Sequence, residues 1–167
     1  ELIRGEAWGR ISLRPELSFW KIGIGLDFPL YLSPAFEPRT TDWDDILDLI
    51  DKVYYIRFGQ RYDPFYARIG SFPDYTLANG LLMKGYSNTI EYPAVIRTGA
   101  NVAINTKIAG FDLFLANVRE PVLFAGRVYV KPLFMFFFPF DKLETGLSVV
   151  IDMNQYSIKT KEEMKYA

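Results

Sequence analysis

The feature that most constrains the fold is an alternation of apolar and polar residues over residues 5–32. In the first half of this stretch the odd positions are apolar or small, and in the second half the even positions are apolar. Because strand side chains point alternately to opposite faces, the change of parity predicts two antiparallel strands joined by a turn. Pro15-Glu16-Leu17-Ser18 supplies the predicted turn. The pattern therefore predicts a hairpin with one apolar face and one polar face.

The same alternation returns along the rest of the chain, separated by segments that contain Gly, Pro and Asn. No strand-helix-strand rhythm supports a parallel sheet. We therefore predict an all-β fold with about eight strands in an antiparallel meander. We expect the meander to close into a barrel, because closure leaves no exposed strand edges. The further predicted strands lie within residues 53–59, 65–70, 95–105, 111–118, 127–131 and 143–152.

The size and composition of the chain fit this prediction. Its 167 residues are 50% hydrophobic and 17% aromatic, with 14 Phe and 11 Tyr, which favours pleated sheets over helices. Residues 1–154 are predicted to form one β-barrel, or part of a larger barrel, and residues 155–167 a polar tail or the start of a further strand.

One short helix is predicted inside a loop. Thr41-Asp42-Trp43-Asp44 resembles a capping box, and Trp43, Ile46, Leu47 and Ile50 follow at helical spacing. Acidic residues line the rest of this segment, but acids early in a helix are explained by its dipole, and the spacing and glycine of an EF-hand loop are missing. No metal is predicted there.

The absence of His and Cys from the sequence removes several function classes. Zinc sites of the usual kind, histidine-based triads and thiol chemistry all need these side chains. A net charge of -1 gives no field that would attract nucleic acid, and no apolar run is long enough for a membrane-spanning helix. We therefore expect no catalytic residues, no cofactor and no nucleic-acid partner.

Two kinds of closed barrel share this alternation and differ in which face is inside. A soluble lipocalin-like barrel buries the apolar face, whereas an outer-membrane barrel turns it to lipid and keeps the polar face in the interior. Here the polar face repeats Arg, Gly and Tyr, and large side chains packed over glycine suit a crowded interior better than open water. We therefore predict an outer-membrane barrel.

The two faces supply the candidate site residues. Charged groups in a low-dielectric interior must be paired, so we expect the arginines to contact acidic residues. The predicted polar interior face contains Arg10, Arg14, Arg57, Arg68, Arg97, Arg127, Lys131, Glu144 and Asp152. The predicted lipid-facing positions are Trp20, Ile22, Ile24, Leu26, Phe28, Leu30, Ile96, Val102 and Ile104.

Several strand motifs also resemble poorly characterised outer-membrane β-barrel proteins of double-membraned bacteria. They are GRISLRPEL at residues 9–17, YIRFG at 55–59, FYARIG at 65–70, GRVYVKP at 126–132 and LETGLS at 143–148. The resemblance covers most of residues 5–152 and implies a location in the bacterial outer membrane. These are strand patterns without a catalytic signature, so the resemblance assigns no functional residues.

The predicted function is that of a passive pore or channel, or of a structural membrane protein. The predicted partner is a lipid bilayer or detergent, and the chain is also a candidate for assembly into a homo-oligomer. The main alternative is a soluble, periplasmic or secreted lipocalin-like barrel that binds an apolar molecule. A carbohydrate-active protein on a β scaffold is the third interpretation, because some glycosidases use a pair of carboxylates. The candidates for such a pair are Glu6, Glu16, Asp27, Glu144 and Asp152.

Overall fold

The computed structural model describes residues 2–3, 6–7, 9–33, 52–93, 95–133 and 143–153. Within these ranges the protein is all-β, every strand is antiparallel to its partner, and no helix is present. The all-β, antiparallel part of the predicted fold class is thereby confirmed. The chain divides into two compact units, Glu1–Gly59 and Gln60–Ala167. No sheet among the described residues is closed into a barrel.

The first unit contains a long, interrupted hairpin. β3 pairs with β6 and β4 with β5 in one common register, and β7 pairs with the other edge of β5. The hairpin is interrupted at Pro15, which has no N–H to donate, and at Asp27. The strands of this unit are β1 (Leu2–Ile3), β2 (Glu6–Ala7), β3 (Gly9–Leu13), β4 (Glu16–Phe19), β5 (Ile22–Leu26), β6 (Phe28–Leu32) and β7 (Val53–Phe58).

The predicted turn at residues 15–18 is wrong, because the chain reverses at Trp20 and Lys21. Trp20 is a turn residue with a positive φ of 52°, and its side chain is 78% exposed. It therefore does not belong to the row of apolar residues that continues from Ile22 along the second strand. Parity shows that a turn exists but does not locate it. The register nevertheless places odd residues of the first strand opposite even residues of the second, as Ile11 opposite Leu30.

A β-bulge corrects the prediction for β7. The register of β5 against β7 shifts between Gly25 and Leu26, so that Val53 pairs with Leu26 and Tyr54 is the extra residue. The alternation predicted Tyr54 on the same face as Ile56 and Phe58, but Tyr54 is only 6% exposed. The guanidinium of Arg14, a residue of the polar face, lies 4.8 Å from the Tyr54 ring centre.

The second unit is an antiparallel meander in which each strand pairs with the next. Residues 71–98 connect its first two strands. The strands are β8 (Phe65–Gly70), β9 (Gly99–Asn105), β10 (Ala109–Leu115), β11 (Leu123–Val130) and β12 (Thr145–Asp152). With each interrupted strand of the first unit counted once, the described ranges contain eight longer strands, as the alternation predicts.

β9 begins later than predicted, so two candidate residues lie outside it. Ile96 is 60% exposed, and Arg97 forms an ion pair with Glu91 instead of joining the other arginines. The Asn88 amide explains the late start, since its Nδ2 donates to the Arg97 carbonyl at 3.1 Å. A backbone carbonyl held by a side chain is taken out of the strand ladder.

The connection 71–98 folds over the polar side of the second unit and builds its hydrophobic core. Residues 76–84 of this connection contain no strand, and the nearest pairing is an isolated bridge between Tyr75 and Tyr86. Tyr75 stacks on Phe114 of β10 with the ring centres 3.9 Å apart. The core residues are Phe72, Tyr75, Leu77, Met83, Phe114, Ala116 and Ala125.

Some predictions fall on residues outside the described ranges. The short helix with its acidic residues, at residues 41–51, is one of them. The polar tail at residues 155–167 is another.

Asn88 should be a determinant of stability in the second unit. It is 1% exposed, its Oδ1 accepts from the Phe72 N–H at 2.7 Å, and its Nδ2 donates to the carbonyls of Arg97 and Ala116, both at 3.1 Å. Asn88→Leu would leave these buried backbone groups unsatisfied, so we expect a loss of about 3 kcal/mol in unfolding free energy. Denaturant titration measures it. Asn79→Ala, at an exposed position of the same connection, should change stability by less than about 0.5 kcal/mol, and equal effects of the two would contradict this role.

Candidate functional site

In each unit the middle strands bury residues of their polar face more deeply than those of their apolar face, and the edge strands β4 and β12 are largely exposed on both faces. On the second unit Val102, Leu113 and Val149 lie in one row across the strands and are 37%, 41% and 46% exposed. Asn101, on the other side of the same strand as Val102, is 2% exposed. Soluble proteins usually show the opposite arrangement, in which polar residues face water and apolar residues fill the core.

The apolar face carries no charged side chain on any strand from β3 to β12 within the described residues. On the first unit it holds most of the predicted apolar row, with Trp20 excepted. Its members there are Ile11, Leu13, Leu17, Phe19, Ile22, Ile24, Leu26, Phe28, Leu30, Leu32, Val53, Ile56 and Phe58. On the second unit they are Phe65, Ala67, Ile69, Ala100, Val102, Ile104, Ala109, Phe111, Leu113, Leu115, Phe124, Gly126, Val128, Val130, Thr145, Leu147, Val149 and Ile151.

Among the described residues of the first unit, Asp27 is the most deeply buried charged group, with 1% of its side chain exposed. Arg10 and Arg14 each lie 3.4 Å from one of its two carboxylate oxygens. A buried carboxylate needs such partners, because its desolvation is otherwise strongly unfavourable. The expected pairing of arginines with acids is therefore observed for these two candidates.

Glycine on the central strand lets large polar side chains reach a partner two strands away. Arg57 and Tyr55 extend from β7 across Gly23 and Gly25 of β5, and both bind the carboxylate of Glu16 on β4. The Arg57 Nε–Oε1 distance is 3.0 Å. A Cβ on Gly23 would lie 2.7 Å from the Arg57 Nε, so a larger residue would occupy this space.

The second unit repeats this arrangement. Tyr129 extends from β11 across Gly110 of β10, and its hydroxyl donates to the Asn105 Oδ1 on β9 at 3.0 Å. Lys131 Nζ donates to the same Oδ1 at 2.8 Å and lies 3.6 Å from Glu144, which also pairs with Arg127 at 3.1 Å. Tyr129 is thus the centre of a polar cluster that includes three predicted site residues.

A polar cavity of about 420 Å³ opens on the polar face of the second unit. Two arginine–carboxylate pairs line it, Arg127 with Glu144 at 3.1 Å and Arg61 with Asp112 at 3.9 Å. Each guanidinium also lies over a tyrosine ring, 4.4 Å from the centre of Tyr129 and 5.0 Å from that of Tyr75. The remaining lining residues are Tyr62, Ala78, Asn79, Ala103, Asn105 and Phe111.

Tyr75 joins the hydrophobic core to this cavity. Its ring stacks on Phe114, while its hydroxyl donates to the Asp112 Oδ1 at 3.0 Å. Asn101 also donates to that oxygen, at 2.6 Å. Burial, and next the negative charge of Asp112, raise the pKa of the Tyr75 phenol, because both disfavour the phenolate.

Three other predicted polar residues lie outside these clusters. Arg68 donates to the Ser71 carbonyl at 2.6 Å and covers the Phe72 ring at 4.7 Å, so it belongs to the core boundary. Asp152 is exposed at the end of β12. Arg97, as described above, is paired with Glu91 before β9 begins.

The sequence analysis missed several residues that build the site. Asn105, Asp112 and Tyr129 stand at period-two positions of the polar faces, which was the available signal. Arg61 and Tyr75 lie in connections without periodicity, and nothing local in the sequence indicates that they meet Asp112.

Neither recognisable site features nor known relatives assign a function to this chain, so its function is inferred from the geometry described above. No group of three His, Cys, Asp or Glu side chains in the described ranges is placed to hold a metal ion. The same ranges contain no helix with the length and apolar character needed to cross a membrane. No family model, no curated protein and no solved structure matches the chain.

Gly110 provides a test of the glycine arrangement. A Cβ there would meet the Tyr129 ring and the Ile104 carbonyl, so Gly110→Ala should lower the unfolding free energy by about 1–3 kcal/mol. Gly126→Ala, on the next strand but on the apolar face, should cost less, since the nearest atom there is the Leu113 Cδ2 at 3.3 Å. Adding Tyr129→Ala should recover part of the Gly110→Ala loss, and purely additive effects in this double-mutant cycle would contradict the arrangement.

The raised pKa of Tyr75 predicts a loss of stability at alkaline pH. The folded state holds the phenol proton more tightly than the unfolded state does, so this contribution is complete below the ordinary tyrosine pKa of about 10 and declines as pH rises above it. Unfolding midpoints measured between about pH 8 and 11 should therefore fall more steeply for the parent than for Tyr75→Phe. Parallel curves would show that Tyr75 ionises as freely in the folded state as in the unfolded one.

Proposed function

We propose that this chain is a β-barrel protein of the outer-membrane type, whose apolar face contacts lipid and whose polar face is its interior. The proposed location is the bacterial outer membrane. The observation that carries the proposal is the inverted burial of the two faces. On the polar faces Asp27 of the first unit is 1% exposed and Asn101 of the second is 2% exposed, whereas Val102, on the apolar face next to Asn101, is 37% exposed.

The energetics of the apolar face support a lipid environment. Each Å² of apolar surface left in water costs about 25 cal/mol relative to an apolar surrounding. Contiguous apolar patches larger than a few hundred Å² are rare on soluble monomers, and here the apolar rows cross five strands of the second unit without a charge. A bilayer would cover such a surface without any specific partner.

The polar face disfavours the lipocalin-like alternative. Such a barrel binds its apolar ligand with apolar side chains that point inward. In the described residues the buried side instead carries Asp27, Arg57, Asn101 and Asp112. Each of these groups has a polar side-chain partner, namely Arg10 and Arg14 for Asp27, Glu16 for Arg57, and Asn101 with Asp112, as a water-poor interior requires.

The strand dimensions are compatible with this proposal. β11 and β12 each have eight residues, close to the roughly 9–11 that a tilted membrane strand needs. The eight longer strands equal the number in the smallest outer-membrane barrels.

Within this class, a structural role is better supported than a channel. The polar side of the second unit is filled by the connection 71–98, whose Phe72, Tyr75 and Leu77 are each no more than 3% exposed. Small eight-stranded barrels are in general packed by their own side chains. A transport function would therefore need a wider barrel, formed with further chain or in a homo-oligomer.

A charge scan over the apolar face tests the proposal. Leu113 lies midway along β10 and Val130 at the end of β11, and both are more than 40% exposed. In vesicles, Leu113→Arg should lower the unfolding free energy by about 2–4 kcal/mol and Val130→Arg by only about 0–1 kcal/mol, because the penalty grows with depth. Reversible denaturant unfolding from lipid measures both.

A face in contact with water gives a different result. An exposed surface position then tolerates arginine within about 0.5 kcal/mol. A monodisperse parent in detergent-free buffer, with equal and small effects of Leu113→Arg and Val130→Arg, would rule out the membrane proposal.

A further inference from the structure

The polar cavity of the second unit has the dimensions of a small-molecule site. Its volume of about 420 Å³ lies within the roughly 300–1,000 Å³ that such sites occupy. Most such sites are lined chiefly by apolar side chains, whereas this one places two arginines and two carboxylates around the space. A lining of this kind selects a ligand with many polar atoms.

The charges that line the cavity cancel. Arg61 and Arg127 contribute two positive charges, and Asp112 and Glu144 contribute two negative ones. An anion that approached the arginines would meet the carboxylates within a few ångströms, and a cation would meet the arginines. Unscreened like charges at such distances are strongly unfavourable in a partly buried site, so the lining favours a neutral ligand.

Both arginines are held in place and still have donors to offer. Arg127 Nη2 donates to Glu144, and Arg61 Nη2 donates to the Thr76 carbonyl. A guanidinium has five N–H donors in one plane, so further donors remain on each within the described structure. The tyrosine rings beneath them restrict their motion, which lowers the entropy lost on binding.

We propose that this cavity binds a small neutral polyhydroxylated molecule of the mono- or disaccharide class. A sugar hydroxyl both donates and accepts hydrogen bonds, and neighbouring hydroxyls match a surface on which guanidinium donors alternate with carboxylate acceptors. Arg127 beside Glu144 and Arg61 beside Asp112 form two such alternating pairs. The proposal does not depend on whether the apolar face contacts lipid.

Equilibrium titration of the folded full chain with a panel of neutral sugars tests this proposal. The panel contains glucose, galactose, mannose, sucrose and maltose, with inorganic phosphate as the charged probe, and isothermal calorimetry or saturation-transfer NMR as the readout. We expect at least one sugar to bind at one site per chain and phosphate not to bind. Arg127→Met and Glu144→Gln should each weaken that binding at least about tenfold, equivalent to about 1.4 kcal/mol.

Two further variants separate loss of the site from loss of the fold. Asn79→Trp places a large side chain at an exposed rim position, so it should block the cavity while leaving the unfolding midpoint unchanged. Arg57→Met removes an arginine–carboxylate pair whose residues do not line the cavity, and it should leave sugar binding unchanged.

Three results would overturn the proposal. One is the failure of every sugar to bind with a dissociation constant of about 10 mM or tighter. Another is saturable phosphate binding without sugar binding, which would identify an anion site. The third is unchanged sugar binding in Asn79→Trp and Arg127→Met, which would place the sugar elsewhere on the chain.

Discussion

The structure depends on polar side chains that reach their partners across a strand that carries glycine. Tyr55 extends across Gly25 to Glu16, and Tyr129 extends across Gly110 to Asn105, in two separate units of the chain. If these two positions carried a Cβ atom, the long side chains would collide with the central strand and their polar ends would remain unpaired. Because an unpaired buried polar group is costly, the glycines are what allow the polar face to be the buried one.

This constraint connects the sheet to both proposed functions. Once polar pairs occupy the buried side, the alternation of the strands forces Leu113, Val128 and their neighbours outward, where a bilayer can cover them. The same paired groups leave a cavity where the connection 71–98 does not fill the polar face. The surface proposed to contact lipid and the cavity proposed to bind a sugar are thus on opposite sides of one sheet in the second unit.

The sequence predicted the parts of the fold that depend on local alternation. The strands, their antiparallel pairing and the pairing of arginines with acids follow from residues two apart and from composition, and Arg127 with Glu144 is an example. Features set by long-range pairing were not predictable. The reversal at Trp20 and the bulge at Tyr54 depend on which residues pair across the strands. The late start of β9 depends on Asn88, whose side chain in the irregular connection 71–98 binds the Arg97 carbonyl. The cavity was missed for the same reason, since Arg61 meets Asp112 only in the folded chain.

The central claim is that the apolar face of the sheet contacts lipid, and site-directed spin labelling along β12 tests it most directly. The sequence contains no cysteine, so single cysteines introduced at residues 147–150 give unique labelling sites. With the protein folded in vesicles, labels at Leu147 and Val149 should be accessible to oxygen, which concentrates in hydrocarbon, and shielded from a water-soluble nickel chelate. Labels at Ser148 and Val150 should be protected from both reagents. The claim would be contradicted if the nickel chelate reached the labels at Leu147 and Val149 as freely as it reaches a label on an unstructured peptide.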